Sequence, residues 1–363
     1  MRRTVLALAL AAGSAQAFSF APTTHAPALR TSAVAISTKG AHTAGCACSS
    51  CRALHTRRVG ASRLSMSTAT EDRERTEANA LGSNPKDYAN TLNELFPGTV
   101  DEATFIETMS RVVMEKGFNP KTAINLVSTC RDEICRPFTE KLDGLWGESF
   151  NIASLGGMVF CGKTGFGAGM AHSPQEAGKE RYVFWAGPHI AVGSDGPVGK
   201  IFRLGRESAS SACGALIALQ GQIDSGKLDV GLDPTDTEMS LLRQEILGTL
   251  SYGQQPNLVG ITYAAHDVIV DQVKRTAAMA APSTSEYVII SGIQVHGALG
   301  KNYWWPGSVT LYKDGKETDL SDDFQKALGS YDVAGWIQSE AKASLQESLG
   351  FRGRIDGFFA NAV

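Results

Sequence analysis

The chain has 363 residues, 43% of them apolar and 20% charged, with a formal net charge of −3. That is ample for a globular core of about 200 or more residues. The eight basic side chains before Thr70 stand in a segment with no acidic residue. Without them, 26 Lys and Arg face 37 Asp and Glu, a net charge near −11 that argues against nucleic acid or anionic membranes as partners.

Met1-Arg2-Arg3 opens the chain, and Thr4 to Ala12 is apolar but too short to span a bilayer. Gly13 to Ala17 then supplies a small-x-small cleavage site, so residues 1–17 read as a signal peptide. From Phe18 to Thr70 a Ser/Thr/Ala-rich stretch is punctuated by Arg30, Lys39, Arg52, Arg57, Arg58 and Arg63, which is transit-peptide composition. A signal peptide joined to a transit peptide, with Phe18 just past the cleavage point, resembles the bipartite presequence of algae with complex plastids. Residues 1–70 are therefore expected to be removed on the way to the plastid, leaving one domain over 71–363. Cys46, Cys48 and Cys51 fall in the removed part without a second ligand pair, so no metal site is expected there. Cys130, Cys135, Cys161 and Cys213 remain, too few and too scattered for a disulfide framework.

Helices are expected over Asp87 to Phe96 and Asp101 to Lys116, the second with Phe105, Met109, Val112 and Val113 at helical spacing. Ala123 to Thr129 reads as a strand ending at Cys130-Arg131-Asp132-Glu133-Ile134-Cys135-Arg136, and Thr139 to Trp146 as a helix. Gly157, Gly162, Lys163 and Thr164 formally match a phosphate-cradling P-loop. The intervening Met158 to Cys161 reads instead as an apolar strand, followed by a glycine-rich loop to Gly178. Arg181 to Trp185 is a further strand, leading through Gly187-Pro188 to His189. Ser208 to Leu219 reads as a helix opened by serine caps, with Cys213 in its first turns, and Thr237 to Leu250 as another helix. Leu258 to Tyr263 and Tyr287 to Ser291 are expected strands on either side of a helix from Val268 to Ala281. A hairpin around Lys313-Asp314-Gly315-Lys316 and a helical end from Phe324 to Leu349 complete the pattern. Alternating strands and helices predict an α/β fold with a mostly parallel central sheet flanked by helices.

Cys130, His189 and Cys213 each end or follow a strand or open a helix, so they are placed to converge at one sheet edge, where ligands bind in open α/β sheets. Two thiolates and an imidazole are zinc ligands, and three protein ligands leave a fourth position for water. Zinc there brings the pKa of its water toward about 7. Asp132 beside an arginine supplies a carboxylate to orient that water. His172, His266 and His296 are more simply surface or core histidines, and Cys135 a buried neighbour.

Thr129-Cys130-Arg131-Asp132-Glu133, Gly187-Pro188-His189-Ile190 and Arg203-Leu204-Gly205-Arg206-Glu207 to Ser211-Ala212-Cys213-Gly214-Ala215 resemble the limiting-carbon-dioxide-inducible protein B/C family of algae, a branch of β-type carbonic anhydrases. The likeness extends over roughly residues 85–330. It implies a β-carbonic-anhydrase-like fold, Zn2+ held by Cys130, His189 and Cys213, a catalytic Asp132 paired with an arginine, and a homodimer or a hetero-oligomer with a paralogue. The implied substrates are carbon dioxide and bicarbonate, in the service of carbon concentration. Ordinary β-carbonic anhydrases read Cys-x-Asp-x-Arg, but Ile134 stands where that arginine would be. The partner of Asp132 is then Arg131, which matches the family's Cys-Arg pair, or Arg136, four residues on. A zinc-loaded but catalytically silent scaffold subunit is the rival expectation.

Overall fold

The computed structural model describes residues 84–360, except 177, 195–197 and 204–207, and side chains as far as 346. The signal and transit segments assigned to residues 1–70 lie outside the described residues, as does the 204–207 part of the arginine-rich motif.

The sheet is built on Ile124–Ser128 (β2), which lies parallel to Phe150–Asn151 (β3) on one side and Lys179–Ala186 (β5) on the other. β5 in turn runs parallel to Glu286–His296 (β9). Asn302–Lys313 (β10) returns antiparallel on β9 and pairs with Val100–Asp101 (β1) and Lys316–Asp319 (β11). Gln175–Glu176 (β4) turns back antiparallel on β5. The long path is β1-β10-β9-β5-β2-β3, parallel through its β9-β5-β2-β3 half. His189–Ala191 (β6) also lies parallel to β9. Ala186 faces Ser291 and His189 faces Gln294, so β6 continues the register of β5 across the break at Gly187-Pro188. The break is tight, for a Cβ on Gly187 would sit 1.8 Å from the Gly292 carbonyl oxygen. Gln294 N–H donates to the Pro188 carbonyl.

Alternation along the strands separates two apolar layers. Val127, Val183, Trp185, Val288 and Ile290 face Glu102–Glu115 (α2), Arg136–Trp146 (α3) and Ser321–Leu328 (α8). Trp304 is sandwiched there between Phe105 and Phe138, with centroids 5.2 and 4.5 Å away and planes nearly parallel. Leu126, Phe184, Ile289 and Ile293 face the other layer. It contains Pro85–Leu95 (α1), Gly162–Met170 (α4), Gly214–Ser225 (α5), Thr237–Thr249 (α6) and Leu258–Ala280 (α7). Val333–Ala360 (α9) joins that layer through Ile337 and Ala341. Among the described residues no helix is long and apolar enough to cross a membrane.

Four expected elements come out differently. Met158 to Cys161, expected as a strand, instead runs as an irregular link between the helical turn Leu155–Gly157 and the helix at Gly162. Leu258 to Tyr263, read as a strand from its branched residues, is the first part of α7. The Asn257 side chain accepts from the Gly260 amide at 2.9 Å, and Leu258, Ile261, Thr262 and Ala265 bury one helical stripe, so capping and packing outweigh intrinsic preference. The glycine-rich stretch after Cys161 is helix α4 and not a loop. Its glycines permit close packing: a Cβ on Gly169 would meet Phe150 at 2.8 Å and Leu126 at 2.9 Å. Ser210–Ser211 form a short strand (β8) against Lys200–Ile201 (β7), so the helix expected from Ser208 begins only at Gly214.

Although α4 starts beside Lys163 and Thr164, no phosphate cradle precedes it. The amides of Gly157, Met158 and Val159 are already bonded to Ser154 O, Leu155 O and Gln272 Oε1.

Candidate metal centre

Cys130 follows the carboxyl end of β2, His189 opens β6, and Cys213 is the N-cap residue of α5. All three are buried. The fold thus brings one sulfur from each of two distant segments and one ring nitrogen to a common point, their ligand atoms all within 4.8 Å of one another. Cys130 Sγ and Cys213 Sγ are 3.8 Å apart.

The two thiols are within hydrogen-bond distance and influence each other's titration in opposite directions. A hydrogen bond from Cys213 is the main influence that draws the Cys130 thiol down to about 4, against the opposing effect of burial and with help from His189. The same contact, reinforced by burial, pushes Cys213 well up. The Ala215 and Leu216 amides at the start of α5 act in the opposite direction on Cys213.

His189 Nε2 is buried and has no hydrogen-bond partner, while its Nδ1 lies 3.1 Å from His296 Nε2. His296 Nδ1 in turn lies 2.8 Å from Asn302 Oδ1. Burial is the main reason His296 is pushed down to about 3, so the ring is neutral. Two sulfurs and a bare imidazole nitrogen are a donor set suited to zinc. The orphaned Nε2 is the kind of buried polar atom that a cation satisfies. The residues present therefore fit the metal.

Asp132 caps the short helical turn Glu133–Cys135, its Oδ1 accepting from the Ile134 amide at 3.4 Å. This cap aims the carboxylate back at the cluster, with Oδ2 3.9 Å from His189 Nε2. The arginine that meets Asp132 is Arg203, which follows β7. Its Nη2 donates to Asp132 Oδ1 at 2.8 Å, to Oδ2 at 2.7 Å and to the Ser211 carbonyl at 3.2 Å. Arg203 Nε is 3.0 Å from Glu133 Oε1 but makes no hydrogen bond.

The expected partners, Arg131 and Arg136, do not reach Asp132. Arg131 pairs with Glu238 on α6 at 2.7 Å, and Arg136 pairs with Glu140 one turn along α3. The reason is the turn itself: with Asp132 as its cap, the chain carries the neighbouring side chains outward while the carboxylate points in. Arg203 stands at the head of the motif quoted above, and that was its signal. Only the β7–β8 pairing shows that its side chain reaches back across 71 residues.

Of the other candidates, His172 packs edge-on against Phe150 at the surface. His266 is bound to Asp267 and Ser291 at 3.1 Å each. His296 and Cys135 instead lie against the cluster, Cys135 Sγ 3.8 Å from His296 Nε2.

Residues 99–313 match the family of limiting CO2-inducible proteins B/C beta carbonic anhydrases. A crystal structure of limiting CO2-inducible protein LCIB is 28% identical with a TM-score of 0.53, covering 64% of this chain and 97% of its own. A crystal structure of PtLCIB4, a homolog of LCIB, is 21% identical with a TM-score of 0.55, covering 64% of this chain and 98% of its own. A comparison with curated proteins finds no match. The matched span contains β2, β5, β6, β9 and every residue of the cluster, and on that ground the chain belongs to the limiting CO2-inducible protein B/C family of beta carbonic anhydrases.

Proposed function

We propose that the protein is a zinc carbonic anhydrase that interconverts carbon dioxide and bicarbonate in an algal plastid. The observation that carries this reading is the convergence of Cys130, His189 and Cys213 around an unpartnered Nε2, with the Asp132–Arg203 pair beside it. Cys130 Sγ, Cys213 Sγ and His189 Nε2 would hold the ion. When bound, zinc supplies a Lewis acid that lets water lose a proton near neutral pH.

The remaining work belongs to this chain's own groups. Asp132 Oδ2 would accept a hydrogen bond from the reacting water and so aim its lone pair at the carbon of carbon dioxide, a role supported by its 3.9 Å approach to His189 Nε2. Arg203 holds that carboxylate from behind and keeps it from rotating away. Asp132 and Arg203 are the more exposed side of the site, with side chains 13% and 21% accessible, whereas His189 is sealed at 1%. Substrate and protons therefore exchange past the Asp132–Arg203 rim. The proton released in hydration leaves on that side, to buffer.

Zinc content and stopped-flow carbon dioxide hydration on one sample test the reading. About one zinc per chain with rapid hydration that Asp132→Ala removes supports it. Zinc without hydration points to the scaffold subunit, and absence of zinc sinks the reading. Light scattering of the same sample checks the proposed homodimer, and co-purification with a paralogue would point to the hetero-oligomer. Residues 1–70 fused to a fluorescent protein are expected to deliver it to the plastid, a reading supported by their composition.

A further inference from the structure

We propose that Glu102 is a positioning residue for carbon dioxide hydration: bonded to Lys141 on α3 and to Gln294 on β9, its carboxylate fixes the helix that follows Asp132 against the strand that pairs with His189. The inference rests on the reading of Cys130, His189 and Cys213, with Asp132 beside them, as the zinc site.

The bridge joins the two halves of that site. On one side Cys135 N–H donates to the Asp132 carbonyl at 3.0 Å, closing the turn that Asp132 caps, and α3 begins at the next residue. Lys141 lies on α3, and its Nζ donates to Glu102 Oε1 at 2.6 Å. On the other side Gln294 Nε2 donates to Glu102 Oε2, also at 2.6 Å. Gln294 is the ladder partner of His189, and its main-chain N–H donates to the Pro188 carbonyl at 3.0 Å. Paired residues of neighbouring strands project to one face, so Gln294 and His189 stand side by side. One carboxylate at the start of α2 thus holds α3 to β9, and with them Asp132 to His189.

Stability alone does not account for this arrangement. Glu102 and Gln294 are buried, and apolar residues of similar volume often hold a fold as well as a buried ion pair does. Gln294 Oε1 is also buried and has no hydrogen-bond partner among the described residues, which adds to the cost. Polar groups kept against such costs mark positions held for function. The distance at stake is the 3.9 Å between Asp132 Oδ2 and His189 Nε2. The three ligands would hold the ion, whereas the aim of Asp132 depends on the helix behind it. Loosening the bridge therefore lowers the rate before it lowers zinc uptake.

Two accounts compete with this one. In the first, Glu102 acts through its negative charge; in the second, it only stabilises the fold. Glu102→Gln removes the charge but keeps the bridge, because the Gln294 amide can turn its bare Oε1 to the new N–H. Glu102→Leu removes both.

The experiment uses the full reduced chain. Stopped-flow hydration per bound zinc is expected to fall at least about tenfold in Glu102→Leu and in Gln294→Leu, with zinc content at the wild-type level. Glu102→Gln is expected to recover to within about threefold of wild type. In the zinc-free protein, hydrogen exchange should quicken in Glu102→Leu at both the Cys135 and the Gln294 amides, and stay at wild-type rates in Glu102→Gln. If Glu102→Leu does not fold, Gln294→Leu and Glu102→Gln still decide the matter. A loss in Glu102→Gln as large as in the leucine variants overturns the bridge in favour of the charge. A full rate per zinc in folded Glu102→Leu, or exchange that quickens at only one of the two amides, also overturns it. Wild-type protein without zinc or without hydration, but with both amides loosened in Glu102→Leu, supports the bridge and sinks the functional reading alone.

Discussion

Arg203 Nη2 bonds both carboxylate oxygens of Asp132, so two residues 71 positions apart act as one group at the edge of the metal cluster. A nearer arginine on either side of Asp132 is engaged elsewhere.

Arg203→Ala is therefore expected to lower kcat/KM for carbon dioxide hydration by about 10²-fold, the scale of losing one aligned polar group at a reacting centre. Zinc content should stay at the wild-type level. Arg131→Ala and Arg136→Ala remove exposed ion pairs and should leave both readouts within about twofold. Stopped-flow kinetics on the three variants would reverse the assignment if Arg131→Ala were the damaging one.

Zinc should also hold the fold together. A ligand at 100 times its Kd stabilises by about 2.7 kcal/mol. Chelation is expected to lower the Tm of the wild type, and added zinc to restore it. Cys130→Ser, His189→Ala and Cys213→Ser should lose that response, which differential scanning fluorimetry measures. Asp132→Ala should retain it.

Glu286 supplies a pH-dependent contribution away from the site. It is buried, with Lys179 Nζ at 2.5 Å and Arg181 Nε at 2.9 Å. Burial pushes its carboxyl up, but the bonds from these two cations outweigh that and leave it lowered. A lowered folded pKa means stability present above the unfolded value of about 4.5 and lost as pH falls through the folded one. Glu286→Gln should thus cost about 1–3 kcal/mol at pH 7. The gap from wild type should close in acid, as denaturant titrations across that range would reveal.

Trp304 anchors the opposite layer. Its stacking between Phe105 and Phe138 leaves a large void on truncation. Trp304→Ala is expected to cost about 3–5 kcal/mol and to lower the Tm by roughly 10 °C. Trp304→Phe should recover most of the loss. A Tm within a degree or two of wild type for the alanine variant would show that the layer repacks freely.

The break between β5 and β6 predicts a local lesion. Gly187→Ala drives a Cβ into the Gly292 backbone, and His189 lies two residues on. Zinc affinity is expected to fall more than tenfold even where the variant folds, because the strand that carries Nε2 is displaced. Chelator competition reads this directly.

Local chemistry was visible in the sequence wherever it depended on neighbours along the chain. The strands around Ile124–Ser128 and Arg181–Trp185 and the Asp314-Gly315 turn could be read there, as could the helical spacing of Phe105, Met109 and Val113. So could the donor chemistry of Cys130, His189 and Cys213, because thiols and imidazoles at strand ends are few. The sequence misled at Leu258 to Tyr263, where branched residues suit a strand but the Asn257 cap and the buried stripe of α7 decide for a helix. It misled again after Cys161, where glycine's poor helix propensity yields to close packing on Phe150 and Leu126.

What only the tertiary structure decided is which group meets which across strands. Arg131 is one residue from Asp132 and Arg203 is 71 away, yet the turn at Asp132 sends the near one to Glu238 and leaves the carboxylate for the far one. The line from Asn302 through His296 to His189 exists because β10, β9 and β6 are neighbours in the sheet. Sequence determines the reach and chemistry of each side chain. Strand order and register, set by the burial of two apolar layers, determine its partner.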